Sequence, residues 1–117
     1  MLRRLALAIA PAAALLAASA LAPAHAQRCD TRFDFVNQSS RTVNEFYFDR
    51  SSRPDFTRDE LGQNVLPPGR QMRFAAMYSE PYDIRAVLDN GRRFDLYRIN
   101  ICSITRVVLT DQGLSAK

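Results

Sequence analysis

Histidine, tryptophan and cysteine are scarce in this chain of 117 residues. It has one histidine, His25, no tryptophan, and two cysteines, Cys29 and Cys102. Because His25 lies in an N-terminal segment that we predict to be removed, the remaining chain lacks the base of a Ser-His-Asp or Cys-His nucleophile. The same shortage excludes a histidine-ligated metal site and a zinc site built from four cysteines. The sequence predicts no metal site and no cofactor.

Lysine is nearly absent too, and the charge excess is small. The net charge is +4, from 16 basic and 12 acidic residues, and half of this excess comes from Arg3 and Arg4. An excess of this size is too weak to indicate binding to DNA or RNA. We therefore predict no nucleic-acid partner.

The first 26 residues have the three parts of a secretory signal peptide. Residues 1–4 are basic, residues 5–21 are a run rich in alanine and leucine, and residues 24–26 place alanine at both recognition positions. This order predicts cleavage before Gln27 rather than a transmembrane anchor. A single domain, residues 27–117, would then act in the periplasm or outside a bacterial cell, with no stable membrane anchor.

Two cysteines in a short chain bound for an oxidising compartment predict one disulfide. Cys29 directly precedes the first candidate strand, and Cys102 lies in the last one. We predict a bond between them within one chain. A bridge between two chains through Cys29, or two free thiols, are the alternatives.

Alternation of polar and apolar residues predicts six β-strands and no helix. The predicted strands span residues 31–36, 42–49, 71–77, 82–88, 93–99 and 101–110. Turn residues 37–40 would join the first two strands as a hairpin, and the polar residues 111–117 would fray. The pattern is typical of an all-β fold, a small antiparallel β-sandwich or open barrel of six to seven strands, antiparallel throughout.

Local signals in the fourth and fifth strands are more specific. Asn90-Gly91 separates them and predicts a hairpin with a type I′ turn. Alternation along the fourth strand places Asp83 and Arg85 on its outward face. The apolar pattern of the fifth strand slips near Arg98, which indicates a bulge or a strand end.

Residues 50–69 show no strand pattern and predict one long loop at the edge of the sandwich. Arginines border this loop and the 89–93 hairpin, and their rigid forks suit carboxylates and phosphates. This arrangement favours a non-enzymatic binding module whose partner is an acidic protein, an acidic polysaccharide or a lipid headgroup. The predicted contact residues are Arg50, Arg53, Arg58, Arg92 and Arg93, with Tyr47, Tyr78 and Tyr97 as candidate exposed contacts.

Other interpretations of the same residues stay open. Solubility and protection of sheet edges explain the arginines without a partner, since acidic neighbours neutralise most of them. A second function is inhibition of an envelope or foreign hydrolase, favoured by small size, secretion and a disulfide. A third is a carboxylate-based hydrolase, which needs a cleft with two carboxyl groups of raised pKa.

Four short motifs are spread over residues 31–109. They are Phe33-x-Phe-x-Asn37, Leu61-Gly62 with Leu66-x-Pro-Gly69, Tyr82-Asp83-Ile84-Arg85, and Asp89-x-Gly91. Together they resemble a group of small secreted bacterial β-sandwich proteins of uncharacterised function, which implies the fold and the location but no catalytic residue. In that group a cysteine stands just before the Tyr-Asp-Ile-Arg strand. Ser79-Glu80 occupies that place here, and the resemblance implies that Cys29 replaces the missing cysteine.

Overall fold

Alternating residues form seven β-strands in a computed structural model that describes residues 29–117. The predicted signal peptide, residues 1–26, lies outside the described residues. The strands are β1 (Arg32–Asn37), β2 (Val43–Arg50), β3 (Gln71–Ala75), β4 (Pro81–Leu88), β5 (Arg93–Asn100), β6 (Arg106–Thr110) and β7 (Gly113–Ala116). A single 3-10 turn, Ile101–Ser103, separates β5 from β6.

Two facing sheets make up the fold, which confirms the predicted all-β sandwich. The four-stranded sheet has the order β3-β1-β6-β7, and the three-stranded sheet has the order β2-β4-β5. All neighbours are antiparallel except β1 and β6, which are parallel. The prediction that every pair is antiparallel was therefore wrong at this pair. Four strands separate β1 from β6 along the chain, which provides the long return path that parallel pairing requires.

The predicted hairpin of the first two strands was also wrong, because β1 and β2 belong to different sheets. The turn between them carries the chain from one layer to the other, so that both strands face the same core from opposite sides. Buried Asn37 holds this corner. Its Nδ2 donates to the carbonyls of Arg41 (2.8 Å) and Leu66 (2.9 Å), and its Oδ1 accepts from the Ser39 amide (3.0 Å).

The C-terminal part differs from the single strand predicted over residues 101–110. Its first residues form the 3-10 turn, which begins where the Asn100 side chain accepts the Cys102 N–H at 3.0 Å. The predicted fraying of residues 111–117 was wrong as well. Residues 113–116 form β7, and Leu114 and Ala116 pack against the core, so burial of apolar surface orders this short segment.

Phenylalanine side chains from both sheets form the centre of the core. Phe35 of β1 stacks on Phe46 of β2 with ring centroids 3.8 Å apart, and Phe33 meets Phe48 edge to face at 5.2 Å. The predicted long loop adds Leu61 and Leu66, both buried, to the same cluster. The second half of the predicted loop therefore forms part of the hydrophobic core.

The hairpin of β4 and β5 pairs as predicted, although its turn is not type I′. Gly91 has a φ of +86°, whereas Asn90 is not among the non-glycine residues with positive φ. A type I′ turn needs positive φ at both central positions. Instead, the Leu88 carbonyl accepts the Gly91 N–H at 3.0 Å, and the Leu88 N–H donates to the Arg92 carbonyl at 2.8 Å. The turn therefore contains one more residue than predicted.

The predicted irregularity near Arg98 is confirmed as a shift in the register of β4 and β5. Arg98 has a φ of +54°, and its N–H donates to Oδ1 of Asp83 at 2.9 Å. The same carboxyl oxygen accepts from the Ser51 hydroxyl at 2.6 Å. Asp83 lies on the face of β4 away from the core, as predicted, since Tyr82 and Ile84 on either side of it are core residues. It is nevertheless buried there, because its carboxylate is the acceptor that the backbone amide at the bulge needs.

Candidate functional site

An open cleft of about 400 Å³ lies between β2 and β3, which are the end strands of the two sheets. Buried Phe48 and Tyr82 form its floor. Met77 and Tyr78 form its rim and are 83% and 42% exposed. The remaining lining residues are Asp49, Arg50, Arg58, Glu60 and Ala75.

The long loop defines one wall of this cleft. Oδ1 of Asp59 accepts the Phe46 N–H at 3.0 Å, and the Glu60 N–H donates to the Phe46 carbonyl at 2.7 Å. The loop therefore covers the outer edge of β2 as far as Phe46. Beyond that residue the edge is open, and Arg58 and Glu60 face the cleft beside Phe48.

Tyr78 is held at the rim by two contacts. The Arg50 guanidinium lies 4.2 Å from the centre of its ring, within the range of a cation–π interaction. Its backbone N–H donates to the Tyr82 hydroxyl at 3.1 Å. Burial raises the pKa of Tyr82, so this hydroxyl stays neutral at physiological pH. An ion pair between Arg50 and Glu80 at 3.5 Å holds the arginine in place.

The charged residues of the cleft are balanced in number but differ in their partners. Arg58 is exposed and has no carboxylate oxygen within 4.0 Å among residues 29–117. Glu60 is partly buried, and this desolvation raises the pKa of its carboxyl group, against the effect of nearby Arg58. Asp49 accepts the backbone N–H of Phe56. Within residues 29–117, Arg58 is therefore the cation of the cleft that has no carboxylate partner.

The five arginines predicted as contacts occupy two ends of the three-stranded sheet. Arg50 and Arg58 line the cleft, whereas Arg53 is exposed on the same loop and does not line it. Arg92 and Arg93 lie at the opposite end, because Arg93 pairs with Val87 and Arg50 with Tyr82. Five residues of β4 separate those positions, a distance of about 17 Å along a strand. The structure therefore does not bring the five together.

Met77 was missed by sequence reasoning, which placed it at the end of a strand. In the structure β3 ends at Ala75, and Met77 lies in the connection to β4. Pro81, which interrupts the strand pattern shortly afterwards, was the available signal for a loop at this place.

The predicted disulfide between Cys29 and Cys102 is confirmed within one chain, with their Cα atoms 5.5 Å apart. It joins the segment before β1 to the 3-10 turn that lies between β5 of one sheet and β6 of the other. The Ser79 hydroxyl lies 3.6 Å from the Cys29 sulfur. Cys29 therefore lies beside Ser79 in space, although 50 positions separate the two residues in the chain.

In the described part of the chain, no helix has the length and apolar character needed to cross a bilayer. Nor do three His, Cys, Asp or Glu side chains of residues 29–117 come together as metal ligands would. Comparison of the whole chain with protein-family models, with curated proteins and with solved structures finds no match, so the resemblance to secreted sandwich proteins stays a prediction.

Proposed function

We propose that this protein is a non-enzymatic binding module of the periplasm or the cell exterior, and that the cleft between β2 and β3 is its contact site. The observation that carries this proposal is the combination of an exposed apolar rim, Met77 and Tyr78, with an available cation, Arg58. Covering the rim removes apolar surface from water, while the guanidinium orients an anionic group.

The compartment is supported by two independent features. The pattern of residues 1–26 is that of a signal peptide, and the disulfide between Cys29 and Cys102 suits an oxidising environment.

Of an acidic protein, an acidic polysaccharide and a lipid headgroup, the acidic protein fits this cleft best. The floor and rim offer aromatic and apolar surface from Phe48, Met77 and Tyr78, which a polypeptide side chain fills better than a hydrated sugar or a headgroup. Arg58 then pairs with a carboxylate of the partner.

Matched variants test this proposal by capture of proteins from an envelope extract on the immobilised, oxidised protein. We expect Arg58→Ala and Tyr78→Ala to lose a captured species that the wild type retains. Arg53→Ala is the control, because Arg53 has the same charge on the same loop outside the cleft. Capture should also weaken as salt rises, since exposed charges are screened over about 8–10 Å at physiological ionic strength.

Equal capture by all four proteins would place the contact elsewhere, and so would a loss caused by Arg53→Ala alone. Melting temperatures close to that of the wild type are expected for the two arginine variants, because exposed substitutions change stability by only about 0.5 kcal/mol.

A carboxylate-based hydrolase is a second candidate, favoured by Glu60. Burial raises the pKa of this carboxyl group inside the cleft, as in a general acid. Against this function, the second carboxylate of the cleft, Asp49, is engaged with the backbone of Phe56. The variant Glu60→Gln distinguishes the two functions. A hydrolase loses turnover of acidic or neutral polysaccharide, whereas the binding module keeps its captured partner.

A further inference from the structure

Within residues 29–117, the outer edge of β3 has backbone groups without a hydrogen-bond partner along its whole length. The Asn37 N–H donates to the Arg70 carbonyl and the Ala76 N–H to the Thr31 carbonyl, so the even-numbered residues of this segment face β1. Because backbone groups alternate along a strand, the N–H and C=O groups of Gln71, Arg73 and Ala75 point away from it. No backbone or side-chain group within residues 29–117 hydrogen-bonds to them.

The inward side chains of β3 are incompletely covered. Met72 and Phe74 point into the sandwich but are only half-buried, whereas Phe33 and Phe35 of the neighbouring strand are fully buried. On the adjoining strand of the other sheet, the covering loop ends at Phe46, which leaves the cleft open beside Ala75. The side chains of β3 that lack full cover, Met72 and Phe74, therefore lie beside the strand edge whose backbone groups are unpaired.

Charge on the outward face of the same strand favours an acidic neighbour. Arg73 is 64% exposed and makes a two-point ion pair with Asp34 of β1 at 2.9 and 3.2 Å. Arg106 of β6 lies on the other side of Asp34 in the same cross-strand row. Across the strands this row reads Arg73, Asp34 and Arg106, so the cation Arg73 stands at the outer edge. If another strand were added at this edge, a carboxylate beside Arg73 would be the most favourable neighbour, because opposite charges on adjacent strands attract.

We propose that the partner is an extended peptide segment that adds to the free edge of β3, with a carboxylate beside Arg73 and apolar side chains turned into the cleft. This inference rests on the proposed function and names its ligand class. The backbone groups of Gln71, Arg73 and Ala75 supply affinity, and alternation of the peptide's side chains supplies specificity. Its sequence signature is an alternation of apolar residues with a central acidic one.

A second copy of this protein fits the same edge less well. In a two-fold antiparallel pairing that uses all five residues of β3, Arg73 lies opposite Arg73 of the second copy. Like charges directly opposite each other in neighbouring strands are destabilising.

The probe is a blocked heptapeptide, Val-Thr-Val-Glu-Val-Thr-Val, added to the oxidised protein and followed by amide hydrogen exchange in NMR. We expect the Gln71, Arg73 and Ala75 amides to exchange more slowly when the peptide binds. The amides of Met72 and Phe74 are the internal control, since they already pair with β1.

Two substitutions separate the backbone contact from the charge contact. Ala75→Pro removes an outward N–H without removing a bond to β1, and Ala75→Thr is its control, with the N–H retained. We expect about fivefold weaker binding for the proline variant only. Arg73→Glu should weaken binding of the glutamate peptide about fivefold and favour a peptide with central lysine, so it remains informative if Ala75→Pro does not fold.

Several outcomes overturn this inference. Slow exchange that depends on protein concentration without peptide identifies a second copy as the occupant. Peptide binding that leaves the three β3 amides unchanged rejects strand addition. If neither peptide binds while envelope capture still depends on Arg58, the ligand class is wrong and the proposed function stands.

Discussion

Single buried polar residues stabilise the irregular places of this fold. Asp83 accepts the Arg98 N–H at the bulge of β5 and the Ser51 hydroxyl beyond the end of β2. Asn37 joins the turn after β1 to the loop before β3. Both residues lie in the short motifs singled out in the sequence, and the structure gives both a scaffolding contact. A polar residue in such a motif is therefore not evidence of a binding site here.

Arg85 and Asp95 should make folding stability depend on pH. Two hydrogen bonds of 2.8 and 3.1 Å from Arg85 lower the pKa of Asp95, and the side chains are only 22% and 13% exposed. As pH falls below about 4, the ordinary value of aspartate, the unfolded chain takes up a proton before the folded one does. The stabilisation is therefore present above that pH and is lost as pH falls through the folded-state pKa.

Asp95→Asn should reduce the free energy of unfolding by about 2 kcal/mol at pH 7, and the difference from wild type should shrink below pH 4. Urea denaturation of both proteins at pH 7 and at a pH below 4 measures this difference in the free energy of unfolding. Asp55→Asn is the control, because Asp55 is exposed and has no ion pair among the described residues. A difference that stays constant with pH would mean that the ion pair does not shift the titration of Asp95.

At the scale of elements, one half of the long loop packs into the core and the other half lies on the surface. Residues 59–66 cover β2, insert Leu61 and Leu66 into the core and bridge Leu66 to Val43. Residues 51–58 cross the outer face of the three-stranded sheet, where the Phe56 ring lies 4.5 Å from the Arg85 guanidinium. Arg58 is the last residue of the surface half, and it lies at the cleft because the next residues pack against β2.

Gly91 provides a test of the hairpin. Its φ of +86° is a conformation that valine rarely adopts, and no heavy atom beyond Gly91 and its two chain neighbours lies within 4 Å of the position of an added Cβ. Gly91→Val should therefore lower stability by more than about 1 kcal/mol through the backbone alone, without a steric clash. Gly91→Asn should cost less, because asparagine tolerates positive φ. Equal stability of both variants in thermal denaturation would show that the turn adopts another conformation.

At the scale of the whole molecule, side-chain packing holds two separately paired sheets together. Strand pairing holds each sheet together, whereas the two sheets meet through side chains, and the disulfide fixes the segment before β1 to the turn that passes from one sheet to the other. A domain of this size buries only about 60–65% of the surface of its unfolded chain. In so small a domain, a disulfide that restricts the unfolded chain contributes a large share of the free energy of unfolding.

Replacing Cys29 and Cys102 together with serine should reduce the free energy of unfolding by up to about 4 kcal/mol. The physical reason is that a link between residues 73 positions apart restricts the unfolded chain. Urea denaturation of the oxidised wild type and the double variant measures the loss, and intact mass with thiol titration verifies the bond. A double variant as stable as the wild type would show that packing alone holds the sheets.

The sequence by itself determined the local features of this protein. Alternation predicted β4 and β5 and their pairing, the break in that alternation predicted the bulge at Arg98, and the two cysteines predicted the disulfide. The strands and the bulge depend on residues that are neighbours in the chain, and the disulfide depends on the number of cysteines. Both can be read from a single sequence.

Only the tertiary structure decided which distant segments meet. The partners of β1, the ordering of β7 and the burial of Asp83 all depend on contacts between residues far apart in the chain. The cleft has the same origin, since Arg58 and Met77 become neighbours only when the end strands of two sheets face each other. Periodicity shows which side of a strand is apolar, but the choice of neighbour is made by the packing of all strands around one core.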